Sequence, residues 1–584
     1  MRRLVVLLLL ASATPSQASA PQVLDAMKLE VQRAMSRLRI EGLDAPYFVS
    51  LRMDDSAIQR FSTAFGSAIS EDRWRLRQAQ AIVRVGSPAL DQTNFAVEPD
   101  YSELDFIGVN IPLGDDEKSL RQAFWLAIDR AYTSALGQLS KKKGYLEKHP
   151  QENYPADFLP PAEKTSLILP AAPAVQIEPY EEYVRKLSEA LRQQSFLTEG
   201  QVNLQIVDRS QYYVDSEENQ HLRPEQLVTL TIRLAVFTND WYPMRQQLSW
   251  VRRLPNELPS PDAALAEVRK KVGYVQACRA AEPVEEYVGP VVFSGQAACR
   301  LFLDILGRGL GTAREPLSDR EGMYSRRSEG ERGFLAKRFG QRILPPSFDV
   351  WDRPSLKEFG HVLLAGYLPV DDEGARSLDV QLVNQGRLVA LPMRRTATKK
   401  YAEPNGHARG SVYSFPESDV DSAVTNLLIE DKQGLPAGAF LDRAVEVAEA
   451  QGKEELLVLT ALRDFPGTDW YDARSYFGDE QASRRLISEP GEAYLLDVKT
   501  RERRPVWGLT FSDADERVLS DIVAATRETT LGQWLSPDGL SNDVPVSIVA
   551  PDVLIEEMPL ERFNMQRLRA PSLDMPPLDA PKAK

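Results

Sequence analysis

Nine extended apolar runs crowd the second half of this chain, at 361–369, 377–384, 387–394, 410–415, 424–430, 455–461, 492–499, 504–511 and 545–554. Runs of that length, bounded by Gly, Pro and Asp clusters, read as strands that pair edge to edge. The pattern confines residues 285–568 to a β-rich domain. One strong helix interrupts it, from about Ala437 to Gln451, with Pro436 before it and Gly452 after it as start and stop residues.

The first half mixes both periods. "YFVSLRM" (47–53) alternates as a strand does, and extended runs follow at 57–65 and 79–86. Asp115 and Asp116 can cap a helix carrying Leu120, Phe124, Ile128, Ala131, Ala135 and Leu139 on one face, with Gly144 as its end. The Pro-, Lys- and Glu-rich segment 145–179 is expected to drape over the surface as a connector. A helix near Tyr180 and strands at 201–207, 226–237 and 245–252 come next. Another helix opens at "SPDAALAEV", with Ser260 as N-cap and Pro261 in the first turn. These elements predict an α/β domain over 21–284, an α+β chain overall, and a Pro-rich disordered tail at 569–584.

Residues 1–20, "MRRLVVLLLLASATPSQASA", have the basic start, short apolar core and small-residue end of a secretory leader, cleaved after Ala18 or Ala20. Losing Arg2 and Arg3 with it takes the net charge from −14 to −16. No later run is long and apolar enough to span a bilayer. The mature protein is therefore expected to be periplasmic or secreted. An acidic chain is a poor partner for nucleic acid, whose phosphates need a basic surface. The basic stretch 320–342 reads as a solvated loop. Export makes a Cys278–Cys299 disulfide possible, but two buried thiols are the favoured reading, since Cys278 continues the apolar face of its helix.

Unaided, the chemistry does not reach an enzyme. The four histidines, His149, His221, His361 and His407, include no pair within a helical turn, and no H-E-x-x-H, G-x-S-x-G, Walker or G-x-G-x-x-G pattern occurs. Acid pairs such as Asp371–Asp372 read as solvated turns. More specific is the order of weak signals along 285–430. "EEYVGPVVFSGQAACRLFLDIL" (285–306) reads as strand, tight turn and helix. "PVDDEG" (369–374) is a turn, Gly386–Arg387–Leu388 a hairpin, "NGHAR" (405–409) a polar loop and "VTNLLIE" (424–430) a strand.

This order resembles the C-terminal domain of the TldD/PmbA metallopeptidase family, and "RVGSPALDQTNF" (84–95) resembles a first-domain hairpin of its secreted members. The resemblance implies a TldD/PmbA-type β-rich domain and a cleft with Asn405, Gly406, His407, Arg409 and Asn426. In catalytic members the strand–helix corner carries H-E-x-x-x-H, completed by a later cysteine. Carried over, those positions fall on Gly295, Gln296 and Arg300, and no cysteine follows Cys299. Glycine has no donor atom, a guanidinium repels a cation, and an amide is no general base.

The expectation is a chain with no catalytic residue, no metal and no cofactor of its own. It would bind a peptide or unfolded segment, or pair as a homodimer or as a heterodimer with a catalytic relative. Two alternatives stand beside it. One is an active peptidase whose zinc is held by another set, such as His361, His407 and nearby acids. The other is a structural scaffold of the cell envelope. Arg300 could grip a peptide carboxylate or sit in a surface ion pair. Trp470, Tyr471, Tyr476 and Phe477 could line a peptide groove or anchor a packed loop.

Overall fold

The computed structural model describes residues 20–96, 108–161, 163–170, 174–239, 241–311, 314, 317–318, 333–399, 401–410, 420–463, 486–512, 514–536 and 544–563. The leader, apart from Ala20, the Pro-rich tail, most of the basic stretch, most of the run 410–415 and the four aromatics at 470–477 lie outside them.

The first half begins with α1 (Ala20–Arg37), which no sequence signal predicted. Next come β1 (Pro46–Ala64), β2 (Ser67–Ser87), α2 (Glu117–Lys148) and α3 (Glu178–Arg192). Then follow β3 (Glu199–Asp215), β4 (Gln220–Phe237), β5 (Pro243–Arg252) and α4 (Pro261–Ala280). Asp116 and Ser260 cap α2 and α4 as expected, but α2 runs past Gly144 to Lys148. The runs at 47–53 and 57–65 are one strand, because Asp54, Asp55 and Ser56 stay in register with β2 instead of turning.

The sheet order β2-β1-β3-β4-β5 is antiparallel throughout, with the short strand Ser166–Ile168 added parallel to β4. The α/β expectation for this half is thereby corrected to an antiparallel sheet with helices on one face, within a mixed α+β chain. Alternation decides the faces. Val49, Leu51, Met53 and Phe61 of β1, Val202, Leu204 and Ile206 of β3, and Val228, Leu230 and Ile232 of β4 are buried beneath the four helices. Their neighbours Arg52, Asp54, Arg209, Gln211, His221, Arg223 and Glu225 point the other way.

The chain enters a second sheet at β6 (Glu286–Phe293), followed by the short helix α5 (Gln296–Phe302). The rest comprises β7 (Phe348–Asp352), β8 (Val380–Asn384), β9 (Asn426–Asp431), α6 (Ala437–Ala450), β10 (Glu455–Leu462), β11 (Pro490–Asp497), β12 (Arg503–Val506), β13 (Ile522–Ser536) and β14 (Val544–Arg562). Its order is β8-β7-β9-β14-β6-β10-β11-β12, with β13 beside β14. Only β9–β14 and β6–β10 pair in parallel in that order. The long strand β13 went unpredicted, since its polar run "TRETT" breaks the apolar pattern. Its register with β14 shifts at that point.

The connector is exposed or half-buried over most of its length but is pinned at a few buried residues. Phe158 and Asp157 are buried, and the Phe158 ring lies between the guanidinium groups of Arg84 and Arg395, each 3.9 Å from its centroid. Two cation–π contacts pin the connector at Phe158.

Candidate functional site

At the corner after β6, Gly295 adopts φ +59°, a conformation that glycine takes at little cost. The turn is tied by Asp552, which follows the Ala550–Pro551 segment of β14. Ser294 Oγ donates to Asp552 Oδ2 at 2.7 Å and the Gly295 N–H to Oδ1 at 2.7 Å, while the Asp552 N–H donates to Thr526 Oγ1 at 2.9 Å. Gln296 is exposed and donates to the Leu531 carbonyl at 3.1 Å. Arg300 is not in an open cleft. It is buried, and its Nε donates to Asp304 Oδ1 at 2.7 Å, one turn on. Asp304 Oδ2 in turn accepts the Ser488 N–H at 2.7 Å. Both readings of Arg300, a carboxylate grip and a surface ion pair, give way to a buried intrahelical pair.

The family's zinc can be tested against these side chains. Gly295 supplies no donor, Gln296 supplies an amide already hydrogen-bonded, and Arg300 supplies a cation. They do not fit a divalent ion. Among the described residues there is no group of three or more His, Cys, Asp and Glu side chains that could hold a metal. His361 is exposed on a hairpin between Phe359 and Val362, and His407 is buried.

The five cleft residues come together, but as a buried scaffold. Asn405, His407, Arg409 and Asn426 are each 5 % exposed or less. Asn405 accepts the Met393 N–H at 2.7 Å and donates to the Leu391 carbonyl at 2.8 Å. Arg409 donates to the carbonyls of Val424 at 3.0 Å and Pro545 at 2.6 Å, and Asn426 to those of Arg353 at 3.0 Å and Leu356 at 3.1 Å. Gly406 needs its left-handed φ of +73°, and any Cβ there would stand 2.2 Å from the Arg376 carbonyl. Their hub is Asp352, which sequence reasoning missed. It accepts the N–H groups of Thr425 and Asn426, each at 2.9 Å, and the Thr425 hydroxyl. Burial works against its ionisation, but these bonds and His407 hold its carboxyl below the usual range. The resemblance located a motif that shapes the backbone, and its polar letters are met by backbone groups.

The "DDEG" turn is also buried, correcting the solvated reading. Asp371 accepts three backbone N–H groups, from Glu373 at 3.0 Å, Ala375 at 2.8 Å and Ala408 at 3.1 Å. Asp372 reaches across to the first sheet. Its Oδ1 accepts Arg223 Nη2 at 2.7 Å, and its Oδ2 accepts the Gly410 N–H at 2.7 Å. Beside it, Glu225 pairs with Arg209 and, at 2.9 Å, with Arg253, whose Nη2 also caps the carbonyls of Ala365 at 2.6 Å and Tyr367 at 2.9 Å. Burial acts to raise both acids, but Arg223, Arg52 and Arg209 around Asp372, and Arg209 and Arg253 around Glu225, hold them well below the usual carboxylate range. The outward face of the first sheet is thus a charged seam against the second half.

The two cysteines are not bonded, so of the two readings the buried thiols hold and the possible disulfide does not. Cys278 lies beside the Val506 carbonyl in one apolar cluster and Cys299 beside the Thr530 carbonyl in another, and burial pushes each thiol up to about 12. Among the described residues no helix is long and apolar enough to cross a membrane.

A mixed α+β chain of two large sheets, with a strand–helix corner beside parallel strands, defines a class that comparison makes specific. Residues 289–451 match the model of the PmbA/TldA metallopeptidase C-terminal domain. Over those residues the chain carries a domain of the PmbA/TldD metallopeptidase family. No curated protein matches it. Among solved structures, TldE from Thermococcus kodakarensis is similar at TM-score 0.55 and 12 % identity, covering 92 % of this chain and 99 % of that one. A proposed modulator of a DNA gyrase from Thermotoga maritima is similar at TM-score 0.57 and 12 % identity, covering 91 % and 99 %. At that identity the likeness is one of fold.

Proposed function

We propose that this protein is a non-catalytic member of the family, acting in proteolysis outside the cytoplasm by binding a peptide or unfolded segment, or by pairing with a catalytic relative. The observation that carries the reading is the corner itself. Gly295, Gln296 and Arg300 stand where the family's H-E-x-x-x-H falls, and Asp304 and the Leu531 carbonyl already engage the two that have side chains. The leader-like start supports export, and core residues of α1 begin at Val23, beyond either cleavage position.

The test is elemental analysis of the purified mature protein, with hydrolysis of unfolded peptides measured alone and after mixing with a relative that carries H-E-x-x-x-H. The expected result is no zinc retained through dialysis, no hydrolysis alone, and a stable complex or bound peptide. Stoichiometric zinc with chelator-sensitive hydrolysis by this chain alone overturns the reading. Sequencing the N-terminus of the periplasmic or secreted protein checks export, with Ser19 or Pro21 expected first.

A further inference from the structure

Guanidinium groups in this interior have acceptors. Arg395 donates to Glu217 at 2.7 Å and to the Leu159 carbonyl at 2.8 Å, and Arg223 and Arg253 are met as described. Arg463, just beyond β10, differs. Its backbone N–H donates to the Glu489 carbonyl at 2.8 Å, but its guanidinium donates no hydrogen bond to any described residue, and its Nε is buried without a partner. The Phe563 ring lies beneath it, 5.8 Å from Cζ, a contact at the outer limit of useful cation–π attraction. Burial lowers its pKa, and the opposing influence of Glu489 and Tyr274 offsets this only in part.

The side chain lines a cleft between the two halves, with Gln246 and Tyr274 on one wall and Gly491, Trp507 and Leu509 on the other. The cleft measures about 340 Å³ including open solvent, and within it there is room for about one water. The other polar side chains there are occupied. Tyr274 donates to the Val506 carbonyl at 2.8 Å and accepts the Ala493 N–H at 3.1 Å. Gln246 donates to the Gly491 carbonyl at 2.6 Å, and Trp507 to the Ala281 carbonyl at 2.8 Å. Arg463 is left as a planar fork of donors beside aromatic walls, a shape that matches the two oxygens of a carboxylate.

We propose that the Arg463 cleft binds a carboxylate, supplied by the C-terminus or an acidic side chain of a peptide. The proposal rests on the peptide-binding half of the function above. The cleft has room for about one water, so the carboxylate enters as its walls part, and the rest of the peptide lies outside. Among the described residues Glu489 is the acid acting on Arg463, and the incoming carboxylate competes with it.

Calorimetric titration of the full-length protein tests this with three probes: N-acetyl-tetra-alanine with a free C-terminus, its C-terminal amide, and the amide of N-acetyl-Ala-Ala-Glu-Ala. The free acid is expected to bind roughly tenfold or more tighter than the simple amide, and Arg463→Gln to erase that difference while Arg463→Lys keeps part of it. Tight binding of the glutamate amide assigns the side-chain source, and binding of the free acid alone assigns the C-terminus. Equal binding of acid and simple amide, or no binding of any probe, overturns the proposal on the native protein, whatever the variants do. So does full affinity in Arg463→Gln. A complex with a catalytic relative would still form in those cases, leaving the pairing half of the function intact.

Discussion

At the seam between the sheets, Asp372 meets Arg223 and the Gly410 N–H, and Glu225 meets Arg209 and Arg253, all of them buried or nearly so. At the corner, the Asp552 carboxylate meets, among the described residues, a serine hydroxyl and one backbone N–H, beside an exposed Gln296. Both places use a carboxylate to hold a turn. At the seam, however, two halves of the chain depend on the pairing, and removing one charge strands its partner in low dielectric. At the corner only a local turn depends on it, and water is at hand to replace what is lost. The same functional group therefore carries very different weight according to what surrounds it.

Asp372→Ala makes the hardest test of that contrast. It leaves Arg223 without its carboxylate and is expected to destabilise the protein by about 3–5 kcal/mol, read from urea unfolding. A loss below about 1 kcal/mol would mean that water reaches the seam.

Acid attacks the same place more gently. Asp372 and Glu225 are held low in the folded state, so their contribution is full above the ordinary carboxylate range. It is lost as pH falls below about 4, because protons then bind the unfolded chain first. The thermal midpoint should drop steeply there, and the drop should shrink in Asp372→Asn. An unchanged slope in that variant would remove Asp372 as a cause.

The smallest effect belongs to the corner. Asp552→Ala removes two hydrogen bonds to a part-buried carboxylate and should cost about 1–3 kcal/mol, read from urea unfolding. A cost matching that of Asp372→Ala would erase the distinction between the two sites.

Much of the fold was open to reading before any coordinates. Asp116 and Ser260 announce their helices through local hydrogen bonds, and α6 is bounded by Pro436 and Gly452. Such signals survive because cap and turn chemistry is settled within a few residues. What escaped reading is non-local. The joining of 47–65 into one strand depends on a long register with β2 and β3, and β13 on its pairing with β14. For the site, the three corner positions could be named from the chain order alone, whereas Asp352, Asp552 and Arg463 carry no motif and could not.

The order of residues by itself determined the class of the chain, the corner and the absence of donor side chains at Gly295, Gln296 and Arg300, since residue identity and period are properties of the polymer. Only the tertiary structure decided the rest. Alternation along β1, β3 and β4 marks one face polar, but a polar face looks the same whether it meets water or a second sheet. That Arg223 finds Asp372, that the cleft motif is buried, and that Arg463 finds no acceptor for its guanidinium among the described residues depend on which surfaces the fold presses together.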